Sequence, residues 1–304
     1  MKSEIYAVIV TYNPNLDLLA KLILSLQEQV GGIVIVDNGS ENISHIRSGI
    51  GNLPRKLIKL SENKGIAYAQ NQGIMYAESR RAQYVLLMDQ DTILPEGAVA
   101  VLHDKCKDLE RSGLRVGAIG CVYRDRHDGK INAIWKADGR KLQKQDVNPE
   151  TDKLIGVDFV IASGSLIPIS TLKEVGLMEE NLFIDLVDIE WGLRAKSCGY
   201  QSYQSLAHIM THTLGNGRLN VFGKTISLHS PVRNYYSLRN SIFMVRRRYI
   251  GSAWRIYFAK RIFSYLIVFG LFPNQKKERI NFMIRGLVDG LLGRGGPFRR
   301  NIFS

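Results

Sequence analysis

Apolar residues follow two rhythms along the first hundred positions. Ile5 to Val10 is an apolar run broken by TYNPN, and IVIV at 33 to 36 is a second one, ended by Asp37-Asn38-Gly39-Ser40. Leu57 to Leu60 and Val85 to Met88 repeat the pattern. Short apolar runs closed by turn residues fit strands buried on both faces of a parallel sheet. Between the first two, Leu18, Leu19, Leu22, Ile23 and Leu26 recur at three- and four-residue spacing, which is one face of an amphipathic helix. SENKGIAYAQNQGIMYA turns helical in its latter part. The alternation of strand and helix predicts an α/β fold with a parallel sheet wound by helices.

Further on the rhythm thins. Gly117 to Val122 reads as another strand, and 157 to 170 returns to a strand-like pattern. Residues 123 to 153, rich in charge and turn formers, read as a mobile or acceptor-facing segment. No repeat or low-complexity tract interrupts the 304 residues. A G-x-G-x-x-G fingerprint is missing after the first strand and no P-loop is present, which argues against nicotinamide, flavin and P-loop chemistry.

Charge divides the chain. Residues 226 to 304 hold 15 Lys and Arg against Glu278 and Asp289, so this quarter carries the whole formal excess of +13 and residues 1 to 225 are neutral. The same quarter holds WRIYFAKRIFSYLIVFGLF at 254 to 272, whose uninterrupted apolar part, Ile262 to Phe272, is far short of the ~20 residues that span a bilayer. A basic, aromatic-rich helix lying on an anionic membrane surface fits this pattern, as does a basic helical cap on the domain. Nucleic acid is not an expected partner, because no recognised motif for it appears. Cys106, Cys121 and Cys198 are widely spaced, which suggests a reducing compartment and no thiolate metal site. The amino terminus, with Glu4 and one short apolar run, reads as a first strand and not as a signal peptide. The division expected is therefore a catalytic domain at 1–225 and a basic helical region at 226–304, giving a peripheral protein at the inner face of the cell membrane.

The candidate chemistry begins at MDQDT, 88 to 92. Asp89 and Asp91 lie at the carboxyl end of a buried strand, where open α/β sheets bind ligands. Two acids this close call for a cation held through oxygen, Mg²⁺ or Mn²⁺, although an Asp at a strand exit also caps turns.

With its neighbours the motif resembles a known family, the inverting family 2 glycosyltransferases of GT-A fold, a Rossmann-like nucleotide-binding half joined to an acceptor-binding half. The resemblance rests on an ordered series of blocks: VTYNP at 10 to 14, VDNGS at 36 to 40, NKGIAYAQNQG at 63 to 73 and MDQD at 88 to 91. ASGSLI at 162 to 167, FIDLVDIEWGLR at 183 to 194, His212 to Gly215 and RNYYSLRN at 233 to 240 complete it. VTYNP and the DIEW block are most similar to bacterial rhamnosyltransferases of surface polysaccharide synthesis.

The resemblance implies a nucleotide-sugar site at Thr11, Tyr12, Asn13, Asp37, Asn38, Lys64, Asn71, Asp89 and Gln90. Asp37 is suited to accept the N3 hydrogen of uracil or thymine. Asp91 would coordinate the metal, Asp89 would contact ribose or metal-bound water, and His212 would add an imidazole ligand. Asp188 would be the catalytic base, with Asp185, Glu190 and Arg194 in support, and crowded carboxylates would raise its pKa. Val187 stands where relatives often have an acid. Ser163, Gly164, Ser165, Arg233, Tyr236 and Arg239 would border the donor and acceptor, and Trp191 reads equally as a sugar platform or as core. The implied reaction is transfer of L-rhamnose from dTDP-L-rhamnose to a lipid-linked saccharide, with UDP-sugars as the alternative donors. Two rivals are a haloacid-dehalogenase-like phosphatase, whose nucleophile motif also reads D-x-D-T, and a noncatalytic nucleotide-sugar-binding protein.

Overall fold

The computed structural model describes residues 2–42, 55–125, 129, 131–145, 147, 151–212, 217–221 and 224–299. The apolar runs form β1 (Ile5–Thr11), β2 (Gly32–Asp37), β3 (Arg55–Lys59) and β4 (Tyr84–Asp89). The amphipathic stretches form α1 (Leu16–Gln27) and α2 (Ile66–Ser79), and α3 (Ala98–Arg111) follows β4. Asn15 starts α1 by accepting the backbone N–H groups of Asp17 and Leu18, at 3.0 and 3.1 Å. This satisfies two donors that the first helical turn would leave orphaned.

The second half adds β5 (Val116–Asp125), a hairpin of β6 (Ile134–Asp138) and β7 (Lys141–Gln145), β8 (Leu154–Val157) and β9 (Ser165–Pro168). It continues with α4 (Ile169–Val175), α5 (Val187–Ser197), β10 (Gln201–His212) and the β11–β12 hairpin (Gly217–Val221, Lys224–Leu228). Eight strands make one sheet in the order β3-β2-β1-β4-β9-β5-β10-β8. Strands β3, β2, β1 and β4 run parallel, β9 runs against both its neighbours, and β8 runs against β10 at the edge. The 157–170 pattern is thus only partly strand, since 158–164 is a turn that feeds β9. Within 123–153, residues 134–145 form an ordered hairpin.

Three helices close the chain: α6 (Pro231–Arg246), α7 (Ser252–Leu271) and α8 (Lys276–Leu292), with α6 packed against both others. Among the described residues no helix is long and apolar enough to cross a membrane. Register aligns Thr11 with Asp37 and Val10 with Asp89, so the carboxyl ends of β1, β2 and β4 open on the same edge of the sheet.

Candidate active site

At that edge the chain encloses a cleft of about 600 Å³. One wall is made by Tyr12 after β1, Asn38 after β2, Asn63 and Gly65 before α2, and Gln70 in its second turn. Asn38 braces this wall: its amide accepts the Lys64 N–H at 2.8 Å and donates to Asn63 at 3.0 Å. Gly65 (φ +92°) is required by space as well, because a Cβ there would lie 2.6 Å from the Phe183 carbonyl oxygen. Gln70 is buried, and its amide oxygen has no partner among the described residues.

Asp89, Gln90 and Asp91 form the rim. Gln90 clasps Tyr12, accepting its N–H at 2.8 Å and donating back to its carbonyl at 3.3 Å. Ser163 accepts the Asp89 backbone N–H at 3.1 Å and so fixes where β4 ends. Thr211 bridges to Ile93, which brings the end of β10 beside this turn. The His212 side chain lies outside the described residues.

The opposite wall is the segment from Phe183 to Asp188. Phe183, Asp185 and Leu186 have φ of 64°, 68° and 65°, a region non-glycine residues rarely occupy. Such backbone persists only when its surroundings over-determine it. Asn240 on α6 supplies that constraint, its amide donating to the carbonyls of Leu182, Ile184 and Asp185 at 2.8–3.0 Å. The loop delivers Asp188 to the first turn of α5, where its carboxylate accepts the N–H groups of Ala162 (3.1 Å) and Ile189 (2.9 Å). Burial pushes the Asp188 carboxyl above its ordinary pKa, these two donors only partly offset it, and nearby Asp185 adds to the rise. Asp185 goes the other way. Burial would raise it, but a two-pronged ion pair with Arg233 and a 2.9 Å bond from Ser237 hold it below the usual carboxylate range.

The structure therefore brings together Tyr12, Asn38, Asp89, Gln90, Asp91, Asp185, Asp188 and Arg233 around one cavity. The other expected residues whose side chains are described are not in the lining of that cavity. Asp37 is buried at the end of β2, one oxygen accepting from the Thr11 and Ser40 hydroxyls and the other from the Ser40 N–H. Thr11 is consumed by that bond, and Asn13 is tied to Ser40 and Glu41. Asn71 spends its amide on Met178 and Glu180, while Lys64 pairs with Glu62 on the exposed side of its turn.

Trp191 is core, donating its indole N–H to the Gly176 carbonyl at 2.9 Å. Glu190, fully buried, is held by Arg194, Arg247 and Tyr249 beneath α5. Arg239 is fully buried and donates to the carbonyls of Asn181, Leu182 and Gly296, and Tyr236 stacks under Phe183. Gly164 and Ser165 turn the chain into β9 behind the cleft. These side chains hold the walls, and a motif position alone does not say which way a side chain faces.

Among the lining residues that escaped the sequence reading are the polar Asn63, Gln70, Tyr123 and His229. Gln70 lay inside a quoted block beside the more familiar Asn71. His229 precedes a helix-starting Ser-Pro pair, and no spacing marks it. Burial first, then the Arg233 charge, lowers the His229 pKa, which keeps its imidazole neutral at pH 7.

A nucleotide-sized cleft at the switch edge of a Rossmann-like half, with D-x-D acids across from a half-buried carboxylate, is the layout of a GT-A glycosyltransferase. The chain belongs to glycosyl transferase family 2, whose profile matches residues 6–164. It is 32% identical to the dTDP-rhamnosyl transferase RfbF of Shigella flexneri over 310 residues, covering 99% of this chain and all of that one. Among solved structures it is similar to S. aureus TarS residues 1–349 in complex with UDP-GlcNAc (TM-score 0.59, 16% identity, 96% of this chain and 81% of that one). It also matches GalNAc-T7 crystallised with UDP, GalNAc and Mn²⁺ (TM-score 0.55, 14% identity), covering 86% of this chain and 57% of that one. Membership removes the phosphatase and noncatalytic readings of the D-x-D-T motif.

Proposed function

We propose that the chain transfers L-rhamnose from dTDP-L-rhamnose to a lipid-linked saccharide, with inversion, in synthesis of O-antigen or another surface polysaccharide. The end-to-end likeness to a dTDP-rhamnosyl transferase carries this reading. In the proposed reaction the Asp188 carboxylate takes the proton of an acceptor hydroxyl while that oxygen attacks the anomeric carbon. The bond from that carbon to the nucleoside diphosphate breaks on the opposite face, in one displacement. A carboxyl with a raised pKa suits this work, because a base nearer the operating pH transfers protons more effectively. Arg233, locked by Asp185, presents positive charge toward Asp89 and the leaving diphosphate.

The donor set fits a divalent cation. Asp89 and Asp91 border open cleft, and no three acidic, His or Cys side chains surround one point among the described residues. Mg²⁺ or Mn²⁺ typically accepts such a two-carboxylate site and completes its shell with water and phosphate oxygens. When bound, the cation supplies neutralisation of the departing diphosphate.

We further propose a peripheral position on the cytoplasmic face of the cell membrane, with residues 1–225 as the transferase and 226–304 as the basic helical region. Three free cysteines fit a reducing compartment. The test is transfer to a saccharide acceptor with dTDP-rhamnose and with UDP-sugars, with Mg²⁺, Mn²⁺ or chelator, and the product's anomeric configuration read by NMR. Metal-dependent transfer from dTDP-rhamnose with inversion is expected. Transfer from UDP-sugars alone would overturn the donor, and retention would overturn the mechanism.

A further inference from the structure

A second concavity, of about 460 Å³, lies between the β6–β7 hairpin and α7. Its floor is Phe159, Ile189 and Trp254, and its sides carry Trp135 from the hairpin and Ile256 and Tyr257 from α7. The buried Asp158 carboxylate fixes both sides, accepting the Ala137 N–H (2.7 Å) from the hairpin and the Trp254 indole N–H (2.6 Å) from α7. The groove is therefore preformed. Arg140, Lys141 and Lys260 also line it, no acid does, and none of the three forms an ion pair among the described residues.

Two features connect the groove to its surroundings. Ile189 faces it while the preceding residue, Asp188, faces the catalytic cleft, so one turn of α5 separates the two cavities. Ile256 and Lys260 also begin an exposed stripe on α7 that continues through Phe263, Ile267 and Leu271 at helical spacing. An apolar trough with an uncompensated cationic lining suits one class of amphiphile, a hydrocarbon chain ending in phosphate or diphosphate.

We infer that this groove binds the lipid phosphate that carries the acceptor saccharide, which seats the sugar on the Asp188 side of α5. The inference rests on the proposed lipid-linked acceptor and adds where the lipid docks.

The chain provides its own reporter: of three tryptophans, Trp135 and Trp254 line the groove and Trp191 is core. The full-length protein is titrated with farnesyl diphosphate, farnesol, inorganic diphosphate and phosphatidylglycerol vesicles while tryptophan emission is followed. A saturable change with farnesyl diphosphate is expected, at least tenfold weaker for farnesol and for inorganic diphosphate. Ile256→Glu and Lys141→Glu should each weaken it at least tenfold and leave the nucleotide-induced rise in melting temperature unchanged. Both substitutions should cut transfer to a lipid-linked acceptor more than transfer to a short water-soluble one. No saturable response, an equal response to vesicles alone, or full binding by Ile256→Glu would overturn the inference. Because the titration needs no donor, saturable lipid binding without transfer from dTDP-rhamnose would sink the donor reading instead.

Discussion

Asp188 sits where ionising a carboxyl is costly, and that cost has two measurable consequences. Its folded pKa is raised, chiefly by burial. The protonated form is thus favoured by folding: the stabilisation is full below the unfolded value near 3.9 and is lost as pH rises through the folded pKa. Asp188→Asn removes the charge without changing the shape. Its single amide oxygen can accept only one of the Ala162 and Ile189 N–H groups, which lowers its stability at every pH. Only the native carboxyl must ionise, however, so the variant's melting temperature relative to the native protein is expected to rise from pH 4 to pH 7.5, while turnover falls ~10²–10⁴-fold. Melting curves at the two pH values and initial rates check this, and near-native turnover would remove Asp188 from the role of base. The native enzyme should lose rate on the acid side at a pH above the ordinary carboxylate range. At this scale the sequence was legible where the end of a buried strand fixes what a side chain faces, as with Asp89 and Asp91, which line the cleft. It was silent on partners: Asp37 and Asn71 carry suitable groups, and nothing in the spacing announces their bonds to Ser40 and Met178.

The segment Phe183–Asp188 shows how one element is shaped by another. Three left-handed residues in four would each cost ~1–3 kcal/mol alone. Asn240 meets two of the segment's carbonyls and that of Leu182 just before it with one amide, and is fully buried. Asn240→Ala should destabilise the fold by about 2–4 kcal/mol, since it leaves buried acceptors unmet. In urea melts the midpoint should fall, and kcat should fall further than lost stability explains, because Asp185 and Asp188 ride on the released segment. Unchanged kcat in the folded fraction would show that the segment holds its shape without Asn240. Arg233→Ala tests the same wall from its other end. It leaves the Asp185 carboxylate without its ion pair, for a loss of about 3 kcal/mol. Because the folded pKa of Asp185 is depressed, that loss is expected at neutral pH and should shrink as pH falls through the folded pKa. Hydrophobic rhythm announced β1, α1, β2 and β4 because each buries its own apolar residues. It could not announce this segment, whose backbone is set by a residue more than fifty positions away.

Across the molecule, most of the large exposed apolar side chains among the described residues fall in the same quarter of the chain as the excess charge. On α7 the exposed stripe includes Phe263, 68% exposed, and Leu271, and on α8 it includes Ile284 and Leu291, 66% exposed. The two helices are in contact, so their stripes lie on neighbouring elements in the part of the chain that carries the whole +13 excess. Large apolar side chains this exposed in monomers mark interaction surfaces, and basic flanks favour an anionic one. Full burial of a Phe or Leu side chain contributes ~1.5–3 kcal/mol. Replacing Phe263 and Leu291 together by Glu removes two such contributions and adds repulsion from anionic lipid, so affinity for phosphatidylglycerol vesicles should drop at least a hundredfold. Binding of the native protein should weaken with salt without vanishing, because screening reaches only the charged part of the attraction. Co-sedimentation measures both effects, and transfer to a water-soluble acceptor should be unchanged because neither residue borders the cleft. If the double variant sediments with anionic vesicles like the native chain, these helices cap the domain and do not dock it. Native binding that vanished at high salt would instead show that charge alone had held the protein there.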